Sequence, residues 1–152
     1  MSDHPHLLIV EDEYSIIEVL VIALEQNYRI STVSNVSDAI AILRTSHIDL
    51  ALIDHALPDG QGAEVASVAD ELGIAVIEMS GRSKSSYAKE QSRHLRLFKP
   101  FGLQELVSTL ELAHRAGPPQ RVLAERGKSY SQTDSSSIFA KAASLGAGAS
   151  NG

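Results

Sequence analysis

Along residues 1–116, short apolar runs alternate with stretches of helical period, and this alternation constrains the fold more than any other feature. HLLIV (6–10), DLALID (49–54) and IAVIEMS (74–80) are apolar almost throughout, the pattern of strands covered on both faces. YRISTV (28–33) alternates in period two, and LRLF (95–98) is a shorter run. Between the strands the period changes. Ile16, Ile17, Leu20, Ala23 and Leu24 share one helical face. SDAIAILRT (37–45) opens on Ser37 as its cap, and GAEVASVADELG (62–73) stops on Gly73. KSSYAKEQS (84–92) is a weaker helix with few apolar anchors, and GLQELVSTLELAHRA (102–116) is strongly amphipathic. The order predicts an α/β domain, a parallel sheet with helices on both faces.

Composition narrows the classes. The chain has 152 residues, enough for one domain with a core, with 43% hydrophobic and 21% charged residues. It has no cysteine, which excludes disulfides and thiolate metal sites and fits a reducing compartment. The segment MSDHPHLLIVEDE lacks the basic region and long apolar core of a signal peptide, and no stretch is apolar enough to span a membrane. A cytoplasmic location is expected. Residues 117–152 differ: half are Ser, Gly or Ala, and they carry four basic and two acidic residues. They read as a flexible tail, with SSIFAKAASL (136–145) its one apolar segment. The tail is then net +2 and residues 1–116 net −8, with no basic cluster, so neither nucleic acid nor membrane is an expected partner.

Open parallel sheets bind ligands beyond the carboxyl ends of their strands. At that edge the sequence places Glu11, Asp12 and Glu13 after the first strand, Asp54 at the end of the third, Ser80 after the fourth and Lys99 after the fifth. Carboxylates brought together repel unless a cation sits among them, and an all-oxygen set with open positions suits Mg2+. A carboxylate can act as nucleophile toward phosphorus. An ammonium and a hydroxyl can then hold the phosphoryl oxygens, since phosphoryl transfer is catalysed mostly by positioning and charge neutralisation.

LLIVEDE, ALIDHALPDGQG, VIEMSG and FKPF, in this order and each at a strand end, resemble the four signature segments of the receiver domain of bacterial two-component response regulators. The resemblance covers about residues 6–116. It implies a flavodoxin-like, doubly wound five-stranded parallel sheet, (βα)5, of strand order 2-1-3-4-5. By position, Asp54 matches the phosphoacceptor and Asp12 the acid that binds Mg2+ directly. Glu11 matches the acid acting mainly through water, and the backbone carbonyl of Ala56 the third protein ligand. Ser80 matches the hydroxyl that moves onto the phosphoryl group and Lys99 the lysine that pairs with it. The bond before Pro100 is cis in the family. The resemblance also implies a sensor histidine kinase or histidine phosphotransfer protein as donor, an unidentified downstream partner, and a monomer or weak dimer. Such a protein is a phosphoacceptor, catalysing only its own phosphorylation and dephosphorylation.

The departures lie on the face through which receivers signal. Three residues before Lys99 the family commonly has Tyr or Phe, and this chain has Arg96. The turn before the fifth strand is SRHLR, and the fourth helix is reduced. Arg96 and Pro100 are therefore expected on an unusual partner face. His47, His94 and His114 have no metal spacing and read as surface residues; Asp59 reads as a turn residue and Gly60 and Gly62 as turn and helix-entry residues. Two functions remain open: a stand-alone phosphorylatable switch, or a receiver-fold interaction module that works without phosphorylation. A phosphatase of the haloacid dehalogenase type needs a second Asp where this chain has Ala56, and there is no GxxxxGK[ST] loop.

Overall fold

The computed structural model describes residues 3–81 and 93–118. In chain order these form β1 (His6–Val10), α1 (Tyr14–Leu24), β2 (Arg29–Val33), α2 (Val36–Thr45), β3 (Leu50–Asp54), β4 (Ala56–Leu57), β5 (Gly60–Gln61), α3 (Gly62–Glu71), β6 (Ala75–Ser80), β7 (Leu95–Phe98) and α4 (Leu103–Ala116). The five longer strands make one parallel sheet in the order β2-β1-β3-β6-β7, which is 2-1-3-4-5 when the short pair is set aside. The expected fold class holds. The helix expected at 84–92 and the tail from 119 onward lie outside the described residues.

The apolar runs are explained by position in the sheet. β3 is central and buried along its whole length, because both of its faces meet helices. Leu8, Val10, Ala51, Ile53 and Val76 point to one face and pack on Ala39 and Leu43 of α2 and on Val65 and Ala69 of α3. Leu7, Ile9, Leu50, Leu52 and Ile77 point to the other and pack on Leu20 and Leu24 of α1 and Leu106 and Leu110 of α4. β2 is an edge strand with exposed and half-buried positions, hence its alternation.

Two local details differ from the expectation, and the stop at Gly73 holds. The cap of α2 is Asn35 and not Ser37: the Asn35 side chain accepts from Asp38 N at 2.8 Å. Ser37 already lies in the first turn, where its own N–H donates to Asp59 Oδ2 at 3.0 Å. The segment after Asp54 is more than a turn, since β4 and β5 pair antiparallel across Pro58–Asp59. α3 ends at Glu71, and Gly73 adopts the left-handed conformation (φ 72°) just past the helix, where a side chain would be strained. No helix among the described residues is long and apolar enough to cross a membrane.

Candidate functional site

The parallel register brings Glu11, Asp12, Asp54, Ser80 and Lys99 to one edge. β1 pairs with β3 and β3 with β6, so Glu11, Asp54 and Ser80 leave adjacent strands at nearly the same level. The backbone continues the pairing past the strand ends: Glu11 N donates to Val33 O, His55 N to Met79 O and Lys99 N to Ser80 O (3.1, 2.9 and 2.7 Å). Glu11 and Ser80 are buried, Asp54 is 7% exposed and Asp12 faces solvent. A carboxylate as deep as Glu11 needs a cation or donors around it. Lys99 Nζ donates to Glu11 Oε1 at 2.5 Å and to Asp54 Oδ1 at 3.2 Å, and Asp12 N donates to Glu11 Oε2 at 3.0 Å. Burial alone would push the Lys99 ammonium toward neutrality. The hydrogen bond to Glu11 and the charges of Asp54 and Glu11 outweigh it, and its pKa is raised.

One ammonium does not balance three carboxylates. Glu11, Asp12 and Asp54 each offer an oxygen, all within 4.8 Å of one another. That donor set fits Mg2+: hard oxygen ligands, with one side open to water. Asp54 Oδ1 also accepts from His55 N at 3.0 Å, so among the described residues both hydrogen bonds to this carboxylate fall on Oδ1 and Oδ2 accepts none. Ala56, in β4, is exposed two residues beyond Asp54. Gly81 is exposed too, and a methyl group added there would meet nothing within 4 Å among the described residues. Gly62 is a different case. A Cβ there would lie 2.1 Å from Asp54 O, so the start of α3 rests directly on the Asp54 backbone. Gly62 is thus a close-approach glycine as well as a helix-entry residue. The Lys99–Pro100 peptide is cis, the isomer the resemblance implies, and Pro100 is exposed.

Arg96 does not leave its place on β7 unused. It pairs in register with Glu78 of β6, and its Nε donates to Glu78 Oε2 at 3.3 Å. His94, expected at the surface, is instead nearly buried: its side chain is 10% exposed and lies between Asp70 of α3 and Glu78. The correction has a physical cause, since two carboxylates there stabilise an imidazolium. The missed signal was Glu78, a lone acid in the otherwise apolar strand IAVIEMS. His47 is exposed as expected and pairs with Asp49.

Residues 7–111 match the response regulator receiver domain, and the chain belongs to that family. It is 34% identical over 115 residues to the KDP operon transcriptional regulatory protein KdpE of Escherichia coli strain K12, covering 72% of this chain and 51% of that protein. The chain thus spans about half the length of the curated relatives it matches. The CheY-like receiver domain of Methanospirillum hungatei superposes with a TM-score of 0.67 at 23% identity, covering 74% of this chain and 95% of that one. The response regulator TrrA of Thermotoga maritima, solved with Mg2+ and BeF, has a TM-score of 0.61 and 26% identity, covering 72% and 98%.

Proposed function

We propose that this chain is a phosphorylatable switch in which Asp54 accepts a phosphoryl group from a phosphohistidine on a sensor kinase or phosphotransfer protein. The observation that carries the reading is Lys99 Nζ, held between Glu11 and Asp54 at the carboxyl edge of the sheet. Lys99 and the His55 N–H engage Asp54 Oδ1, leaving Oδ2 to attack phosphorus. The new P–O bond forms as the donor's P–N bond breaks, and the bonding pair returns to the imidazole nitrogen, where a proton neutralises it. Glu11, Asp12, Asp54 and the Ala56 carbonyl would hold Mg2+, which when bound neutralises charge on the phosphoryl oxygens. Lys99 remains an ammonium and donates to the acyl phosphate. The Ser80 hydroxyl donates to a phosphoryl oxygen, and the end of β6 follows it, shifting a pre-existing equilibrium.

Ala56 and Gly81 leave the site open, so the acyl phosphate is accessible to water and to a partner's histidine. Output then runs through a partner protein or by onward transfer, in the cytoplasm where such donors work. A long acyl-phosphate lifetime in the isolated protein would count against that openness. The second reading, an interaction module without phosphorylation, is favoured by Arg96, whose guanidinium is committed to Glu78. Intact mass after incubation with acetyl phosphate and Mg2+ separates the two. A single phosphoryl increment present in the wild type and missing in Asp54→Ala supports the switch; no increment in either supports the module.

A further inference from the structure

Asp70, His94, Glu78 and Arg96 come from α3, the residues just before β7, β6 and β7 itself, and none takes part in the site above. Their side chains are only 10–22% exposed, so the charges act through a poorly screened medium. His94 Nε2 lies 2.8 and 3.0 Å from the two oxygens of Asp70, so it carries a proton there. The other ring nitrogen, Nδ1, faces Glu78 Oε1 at 3.7 Å. In a neutral ring that nitrogen would turn a lone pair toward a carboxylate; in the imidazolium it turns an N–H. Glu78 is held from its other side by Arg96. Protonation of His94 places a positive charge between the carboxylates of Asp70 and Glu78, and its loss leaves them facing a neutral ring.

We infer that these four residues form a proton-loaded clasp tying α3 to the β6–β7 edge, and that the hold of α3 on that edge weakens as pH rises through the neutral range. Among the described residues, Asp70 from α3 and Glu78 from β6 face His94, and Arg96 from β7 holds Glu78. Burial works against protonation of His94, but hydrogen bonds and charge from Glu78 and Asp70 outweigh it and raise its pKa above the ordinary 6.5. A raised folded value means the stabilisation is complete below the unfolded pKa and is lost as pH climbs through the folded one. Glu78 is two residues before Ser80 and Arg96 three before Lys99, so the clasp sits on the two strands that carry both groups. It stands whether or not Asp54 is phosphorylated.

The test needs no phosphodonor. Proton NMR titration of the His94 ring in the full chain should place its midpoint above the ordinary histidine value, and Asp70→Asn should bring the midpoint down. In parallel, the melting temperature of the wild type should fall more steeply than that of His94→Gln between pH about 6 and about 8.5. A wild-type midpoint at or below the ordinary value overturns the inference. So do parallel melting curves for the wild type and His94→Gln. If His94→Gln does not fold, the wild-type and Asp70→Asn titrations decide alone.

Discussion

Asp54 sits at an edge with too many negative charges for its own comfort, and that sets the first expectation. Among the described residues Lys99 pairs with Glu11 and Asp54 and leaves the three clustered carboxylates Glu11, Asp12 and Asp54 in excess, so added Mg2+ should stabilise the folded chain. At a concentration ten times its dissociation constant the gain is about 1.4 kcal/mol, readable as a rise in melting temperature against an EDTA control. Asp12→Asn should abolish that rise, and by relieving repulsion should melt higher than wild type in EDTA; an unchanged Mg2+ response would remove Asp12 from the ligand set. Gly62 makes a second residue-scale case. Its missing side chain is the space occupied by Asp54 O, so Gly62→Ala must shift α3 or β3. Overpacking of this kind costs about 1–3 kcal/mol, and urea denaturation should show it. Phosphorylation by acetyl phosphate should slow in the same variant, because the shifted backbone carries Asp54, the proposed phosphoacceptor.

At the scale of elements, α2 is anchored from two places. Asn35 caps it locally, and Asp59 reaches across from the β4–β5 tip to accept from Val36 N and Ser37 N at 2.7 and 3.0 Å. Asn35→Ala should cost about 1 kcal/mol, the usual loss of a helix cap. Asp59→Ala should lower the melting temperature at neutral pH. The hydrogen bond from Val36, then that from Ser37, outweighs desolvation and keeps the Asp59 carboxyl below its ordinary range. A depressed folded value means the stabilisation is present above the unfolded pKa and disappears as pH falls through the folded one. Wild type and Asp59→Ala should therefore converge in melting temperature at acid pH, and a constant difference down to pH about 2 would contradict the assignment. The sequence reading of Asp59 as a turn residue was right about its place and silent about this second duty. The partner amides lie 22 and 23 residues away, beyond any local pattern.

For the whole molecule, the core closes between β1 and α4, on two faces of one sheet. Each described element finds its packing partners inside residues 3–118, so a truncation after Pro118 should melt with the full chain and be phosphorylated at the same rate. A lower melting temperature in the truncation would mean that residues 119–152 contribute to stability.

What the sequence by itself determined is the alternation of strands and helices, the parallel sheet, and the groups at its carboxyl edge. These were legible because period reports burial, and because in such a sheet every strand end faces the same way. Glu11, Asp12, Asp54, Ser80 and Lys99 could be collected from four separate places for that reason alone. Only the tertiary structure decided which groups touch. It gave Lys99 two carboxylates, put the Gly62 backbone against Asp54, and turned Asp59 toward α2. It also made His94 and Arg96 members of one network with Asp70 and Glu78, residues from three parts of the chain. The physical reason is range: hydrophobic period acts over a few residues and is written locally, whereas a hydrogen bond between distant residues exists only once packing has set their distance.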